Sequence, residues 1–230
     1  MAIIRNLAMT PKEMQSARSL PPGAAWMSCH FSSQGLEDLP RQLPPHALVI
    51  LDDAVPMDSQ DPRQILEILK KLVEIQNPSG ILLDFQKPDR PQEGALALAL
   101  QQGLSCPVAV SQLYAGQAQE GPVFLSLLPP HCALEKAMAP WAGREVWLEV
   151  GPASEKASVT NKGTEFSPCN LTSPLPHCHR KLCCHYGIEI LEDSLLFSLT
   201  RTGEDLRALT AQAEALGITR TVGLWQELRA

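Results

Sequence analysis

Residues 47–86 read ALVILDDAVPMDSQDPRQILEILKKLVEIQNPSGILLDFQ, and this stretch decides the fold. Its two apolar runs, 47–51 and 80–83, have the length of strands and do not alternate with polar residues. Strands that are covered on both faces have this pattern. Between them, apolar residues recur at helical spacing from 61 to 77. Asp61-Pro62 marks the start of this predicted helix, and Asn77-Pro78 marks its end. The stretch therefore predicts two parallel strands joined by a helix.

The rest of the chain repeats this alternation of strand and helix. Further strands are predicted at 24–30, 107–113, 122–128, 144–150, 186–199 and 219–225, of which 186–199 is a hairpin. Further helices are predicted at 91–103, 133–138 and 203–216. Counting the hairpin once makes eight strands. We therefore predict an α/β fold, a compact (β/α)₈ TIM barrel, as a single domain over 1–230.

Two segments do not follow the alternation. Residues 1–20 are interpreted as either an N-terminal arm or an extra βα unit. Residues 151–185 are rich in Ser, Thr, Pro, Asn and Gly, and they predict an irregular insertion. This insertion either faces a substrate or is a surface loop, with a hairpin turn at Asn161-Lys162-Gly163.

Composition and charge exclude several function classes. The net charge is −6 and aromatic residues make up 5 % of the chain, whereas a nucleic-acid groove needs a cationic track and stacking rings. No apolar run reaches the roughly 18 residues of a membrane span. The first 30 residues contain charges and no apolar run of signal-peptide type, and the odd number of seven cysteines favours a reducing compartment. We therefore expect a cytoplasmic protein that binds neither nucleic acid nor membrane.

Carboxylates follow two of the predicted strands. Asp52 and Asp53 come directly after 47–51, and Asp84 follows 80–83. Because the carboxyl ends of barrel strands meet at one mouth, these side chains are candidates for a functional site. The alternative is that they cap a loop or the next helix through backbone hydrogen bonds.

The stretch 79–88, SGILLDFQKP, resembles the catalytic strand of family 18 glycoside hydrolases, the chitinase-like barrels, which reads Asp-Gly-x-Asp-x-Asp-x-Glu. The segment 218–225, ITRTVGLW, is similar to the last strand of that family, which ends in a tryptophan that lines the sugar site. Asp84 matches the last aspartate of the motif, and Gln86 takes the place of the acid/base glutamate. In our count this strand is the third, whereas the family carries the motif on its fourth.

The resemblance implies a chitinase-like barrel that binds or hydrolyses an oligosaccharide. Its mechanism needs a carboxylic acid to protonate the glycosidic oxygen, which Gln86 cannot do, so the site is degenerate at that position. Glu149, at the end of 144–150, is the candidate for a replacement acid. Candidate catalytic residues are therefore Asp84, Gln86 and Glu149. Candidate substrate-binding residues are Asp52, Asp53, Tyr114 and Trp225.

An alternative function is a non-catalytic TIM barrel that binds a protein or a small-molecule partner. No phosphate-binding or dinucleotide-binding glycine motif occurs, so no cofactor is predicted.

The stretch 177–185, HCHRKLCCH, has six potential metal ligands. Its spacing is not that of a paired zinc motif, and adjacent Cys183 and Cys184 would point in opposite directions in an extended chain. Arg180 and Lys181 would repel a cation. We therefore predict a polar loop here rather than a metal site, and a metal-dependent barrel enzyme is a third, weaker alternative.

Overall fold

The computed structural model describes residues 2–32, 35–57, 60–171 and 174–228. In chain order its strands are β1 (Ile4–Met9), β2 (Ala24–Ser32), β3 (Gly35–Glu37), β4 (Leu48–Asp52), β5 (Gly80–Asp84), β6 (Val108–Ser111), β7 (Val123–Leu125), β8 (Val146–Glu149), β9 (Ala153–Thr160), β10 (Gly163–Pro168), β11 (His177–His179), β12 (Cys184–Ile190), β13 (Leu195–Arg201) and β14 (Arg220–Leu224). The helices are α1 (Pro11–Ser16), α2 (Pro62–Gln76), α3 (Pro91–Gly103), α4 (Leu134–Met138), α5 (Gly203–Ala215) and α6 (Trp225–Leu228), and a 3₁₀ turn covers Ala139–Trp141.

Eight parallel strands form a closed barrel. They follow one another around the ring as β1, β2, β4, β5, β6, β7, β8 and β14, and β1 pairs with β14 to close it. The short strand β3 pairs antiparallel with β2. The predicted (β/α)₈ barrel is therefore confirmed. In the described part of the chain, no helix has both the length and the apolar character needed to cross a membrane.

The count of eight strands is right, but the predicted set contains one wrong member. The hairpin at 186–199 lies in a separate sheet, and the remaining barrel strand is β1. One polar residue hides β1 in the sequence: Asn6 is buried inside the barrel, where its side-chain amide donates to the Gly23 carbonyl across 3.2 Å. Since β1 precedes the strands counted above, β5 is the fourth strand of the barrel.

The insertion between β8 and α5 is regular rather than irregular. It forms a five-stranded antiparallel sheet in the order β10-β9-β13-β12-β11. The predicted turn at Asn161-Lys162-Gly163 joins β9 to β10. Residues 177–185, predicted as a loop, form β11, a turn and the start of β12. The sequence looked irregular because these strands bury few side chains, and β10 is exposed along its whole length.

Helix α2 packs on the outside of the barrel through one apolar face. In α2, Ile65, Leu69, Leu72 and Val73 are buried. Its start and end are those predicted: the Asp61 side chain accepts a hydrogen bond from the Arg63 amide at 2.9 Å, and a left-handed residue at 77 ends the helix.

The barrel interior is filled by side chains that alternate along each strand. Leu48, Ile50, Leu82, Phe124 and Trp147 belong to one buried cluster inside the ring. Glycine at position 80 leaves room for the Trp147 ring, since a β-carbon there would lie 3.0 Å from both that ring and the Pro107 carbonyl oxygen. Because strand side chains have a period of two, the next inward position on each strand lies at the carboxyl end of the barrel.

Candidate functional site

Polar side chains occupy the inward positions at the carboxyl end of the barrel. Asp52 is two residues beyond Ile50, Asp84 two beyond Leu82, Ser126 two beyond Phe124 and Glu149 two beyond Trp147; those four apolar residues belong to the interior cluster. Asp52 and Asp84 are direct neighbours in the register of β4 and β5. These four residues surround what we call the mouth of the barrel, and none of them is fully buried.

Asp84, Gln86 and Ser126 form a hydrogen-bonded group across the mouth. The Gln86 amide nitrogen donates to Asp84 Oδ1 and to Ser126 Oγ, the latter across 3.1 Å. Burial raises the pKa of Asp84 above its ordinary value, the hydrogen bond from Gln86 opposes this, and the charge of Asp52 adds to it. The side chain of Gln86 is itself exposed.

Glu149 is the carboxyl group whose acidity is most altered at the mouth. Burial, reinforced by the negative charge of Asp84, raises its pKa to about 7, and the hydrogen bond that its Oε2 accepts from the Leu127 amide at 2.8 Å acts in the opposite direction. The charge of Glu227 on α6 raises it further, and burial raises the pKa of Glu227 as well. At neutral pH Glu149 can therefore both give and take a proton.

Asp53 and Tyr114 lie outside the mouth, on the side of the strands that faces the helices. Asp53 is 2 % exposed, and its two carboxylate oxygens accept hydrogen bonds from the amides of Gln86 (2.9 Å) and Lys87 (2.8 Å). Tyr114 is also 2 % exposed, and its hydroxyl donates to the Lys87 carbonyl at 2.5 Å. Both side chains are thus engaged with the loop between β5 and α3, which carries Gln86. The capping alternative describes Asp53 well.

Asp52 and Trp225 lie at the mouth end of the barrel and are only partly buried. Asp52 Oδ1 accepts a hydrogen bond from the Ala54 amide at 2.9 Å, and its side chain is half-buried. Trp225 is the first residue of α6, directly after β14, so it lies at the mouth end of the barrel and is half-buried.

Two residues of the mouth were not predicted from the sequence. Ser126 comes two positions after the inward-facing Phe124, so the period of the strand would have indicated it. Glu227 follows the last strand in a short helix, and its interaction with Glu149 joins parts of the chain that are far apart in sequence.

Comparison with solved structures shows the same fold in bacterial proteins. The spore cortex-lytic enzyme SleL of Bacillus megaterium QM B1551 superposes with a TM-score of 0.54 at 10 % identity over 96 % of this chain and 70 % of that one. SleL of Bacillus cereus gives 0.55 at 9 % identity over the same shares. The structure described as a sporulation-specific glycosylase, ydhD of Bacillus subtilis, gives 0.51 at 11 % identity over 84 % and 88 %.

At this level of identity the likeness shows the fold alone. No protein-family model matches the chain. No curated protein matches it by sequence.

Proposed function

We propose that the barrel mouth binds an oligosaccharide, in the manner of a chitinase-like barrel whose acid/base position holds an amide. The observation that carries the proposal is the hydrogen-bonded group of Asp84 at the end of β5, Gln86 in the loop that follows it, and Ser126 directly after β7. It offers amide, carboxyl and hydroxyl groups within a few ångströms, the set that recognises sugar hydroxyls.

The position of Asp84 in the barrel supports this proposal. The family 18 motif belongs to the fourth strand, and β5, which carries Asp84 and leads to Gln86, is the fourth strand around the ring. The names of the proteins with similar folds, a spore cortex-lytic enzyme and a glycosylase, also support a carbohydrate ligand.

All seven cysteines are free thiols, which supports the further proposal of a reducing, cytoplasmic location.

Binding without the family reaction is the primary form of the proposal. An amide such as that of Gln86 has no proton of carboxylic acidity, and here its nitrogen already donates to Asp84 and Ser126. The amide oxygen and the exposed edge of the side chain remain able to contact a ligand.

Calorimetric titration with a β-1,4-linked tetramer of N-acetylglucosamine tests the binding proposal. We expect saturable binding that Trp225→Ala weakens by about tenfold, since a sugar ring stacked on the indole would lose about 1.4 kcal/mol. Trp225→Phe should retain most of the affinity. The matched control is Trp141→Ala, because Trp141 is also half-buried but precedes β8 at the opposite end of the barrel. A flat titration of the wild type would reject an oligosaccharide of this class and favour the partner-binding alternative.

Glycoside hydrolysis with Glu149 as the acid is the second candidate, and the raised pKa of Glu149 favours it. If it holds, Glu149→Gln should lower the turnover of an N-acetylglucosamine polymer by about 10²–10⁴-fold, the usual contribution of a general acid. Wild-type turnover should also fall as the pH rises through about 7, because the acid loses its proton.

Gln86→Glu should raise turnover by placing a carboxyl group next to Asp84. Glu189→Gln, at an exposed position of the inserted sheet, is the charge control. No wild-type turnover across a panel of glycans would exclude this candidate.

A further inference from the structure

The hairpin of β11 and β12 sorts its histidines and cysteines onto two faces of the inserted sheet. Cys178 and His185 are directly opposite each other in the antiparallel register, so their side chains share a face. The neighbouring pair His179 and Cys184 shares the other face. The six clustered ligands of the sequence are thereby reduced to a smaller set that can meet.

A third group reaches the face of Cys178 and His185 from α5. Asp205, 4 % exposed, places its Oδ1 3.0 Å from His185 Nδ1. The ligand atoms of Cys178, His185 and Asp205 all lie within 4.8 Å of one another. Within the described residues, this is the one place where three such ligand atoms come that close.

We propose that Cys178, His185 and Asp205 bind a thiophilic divalent cation of the Zn²⁺ type. Thiolate, imidazole and carboxylate are the three donors that zinc uses in proteins. At zinc–ligand distances of about 2.0–2.3 Å, the donors of a tetrahedral site are separated by about 3.3–3.5 Å. The 3.0 Å between His185 Nδ1 and Asp205 Oδ1 is close to this spacing, and the widest separation in the group, at most 4.8 Å, must shorten by up to about 1.3 Å to reach it.

The donors can bind an ion while Asp205 keeps its contact with the start of α5. Asp205 Oδ2 accepts a hydrogen bond from the Thr202 amide at 3.2 Å, and His185 Nδ1 lies 3.0 Å from both Oδ1 and Oδ2. An ion on Oδ1 leaves the Thr202 contact of Oδ2 in place. The ion takes the place of the hydrogen bond between His185 Nδ1 and the carboxylate, and the neutral imidazole then carries its one proton on Nε2. Cys178 is exposed, so its thiol can release its proton to solvent on binding, and water can complete the fourth position.

The charges around this site are compatible with a cation. A thiolate and a carboxylate together balance a divalent ion. Lys181 in the hairpin turn forms an ion pair with Glu135 at 3.1 Å. Thr200 pairs with His185 and shares its face, so the next residue, Arg201, points to the opposite face of the sheet. There the Arg201 guanidinium donates to backbone carbonyls. The bound ion would join the inserted sheet to the helix that leads back to the last barrel strand.

Titration of the reduced full chain with Co²⁺, followed by competition with Zn²⁺, tests this proposal. We expect a thiolate-to-cobalt charge-transfer band that saturates at one ion per chain and disappears on addition of Zn²⁺. Cys178→Ser should abolish the band and weaken Zn²⁺ binding by at least tenfold, and His185→Gln should weaken binding in the same direction. Cys169→Ser, which removes a partly exposed thiol from the same insertion, should leave both unchanged.

Three outcomes would overturn the proposal. They are the absence of the band in the wild type, a band of equal intensity in Cys178→Ser, and an equal loss in Cys169→Ser. The Cys178 variant is informative because this side chain is exposed, so its replacement leaves the fold intact. The melting temperature should rise with Zn²⁺ in the wild type and not in Cys178→Ser, since a ligand of the folded state stabilises it.

Discussion

At the scale of single residues, Glu149 is where burial has the largest consequence for charge. Its carboxyl group is largely buried at the mouth, where the negative charge of Asp84 acts on it, and its pKa of about 7 compares with an ordinary value of 4.5. Below pH 4.5 the group is protonated in both the folded and the unfolded chain. Between pH 4.5 and about 7 the unfolded chain loses its proton first, so the folded state becomes less stable as the pH rises.

We predict that Glu149→Gln stabilises the protein at alkaline pH and not at acid pH. The gap between 4.5 and about 7 corresponds to a destabilisation of the wild type by up to about 3 kcal/mol. This destabilisation is fully present above pH 7 and absent below pH 4.5. Glutamine keeps an oxygen that can accept the Leu127 hydrogen bond. Urea unfolding of wild type and variant at pH 4 and pH 8 measures the difference. Equal free energies of unfolding at pH 8 would show that Glu149 is not held in a charge-disfavouring environment, and Glu189→Gln again serves as the control.

At the scale of elements, the loop between β5 and α3 depends on Asp53. This carboxylate accepts the amides of Gln86 and Lys87, and Arg90 Nη1 lies 3.9 Å from its Oδ2. The Arg90 guanidinium also donates to the Asp53 carbonyl at 3.1 Å. Gln86 is thus placed at the mouth by a residue on the neighbouring strand end, whose own side chain points away from the mouth.

We predict that Asp53→Asn lowers the free energy of unfolding by about 2–4 kcal/mol. The variant removes the buried negative charge that neutralises Arg90. Its NH₂ group also faces one of the two backbone amides, which then loses its acceptor. Asp52→Asn, the adjacent half-buried residue with one backbone contact, should cost far less. Hydrogen exchange should quicken at the amides of Gln86 and Lys87 in the Asp53 variant. Unchanged exchange there would contradict the assigned role of Asp53.

At the scale of the whole molecule, Arg201 connects the inserted sheet to the barrel. It is fully buried, and its guanidinium donates to the carbonyls of Leu128 (2.7 Å), Leu182 (3.0 Å) and Cys183 (3.1 Å). Leu128 follows β7 of the barrel, whereas Leu182 and Cys183 precede β12. Burial lowers the pKa of Arg201, because the loss of water around the guanidinium disfavours its charged form.

We predict that Arg201→Met lowers the free energy of unfolding by about 3 kcal/mol. Methionine fills much of the volume and removes the buried charge, but it leaves three carbonyls without a donor. Urea denaturation, compared with that of Arg207→Met at an exposed position of α5, measures this cost. A loss no larger than in the Arg207 variant would mean that these hydrogen bonds do not hold the sheet to the barrel.

Local patterns were sufficient for much of the fold. Helix α2 begins and ends where Asp61 and Asn77 predict, because capping acts over a few neighbouring residues. The strand-end positions of Asp52, Asp84 and Glu149 follow from apolar runs that can be identified one strand at a time. Ile50 faces the barrel interior. Since strand side chains have a period of two, Asp52 then faces inward and Asp53 outward.

By itself, the sequence determined the α/β class, the helix limits and the carboxylates at the strand ends, since propensity, capping and periodicity are local. Only the tertiary structure decided that β1 closes the barrel and that the strands at 186–199 belong to another sheet, because a strand's partner depends on distant residues. The acidity of Glu149 and the meeting of Cys178 with Asp205 were likewise decided by tertiary structure. Burial and charge act through space, between residues that the chain keeps far apart in order.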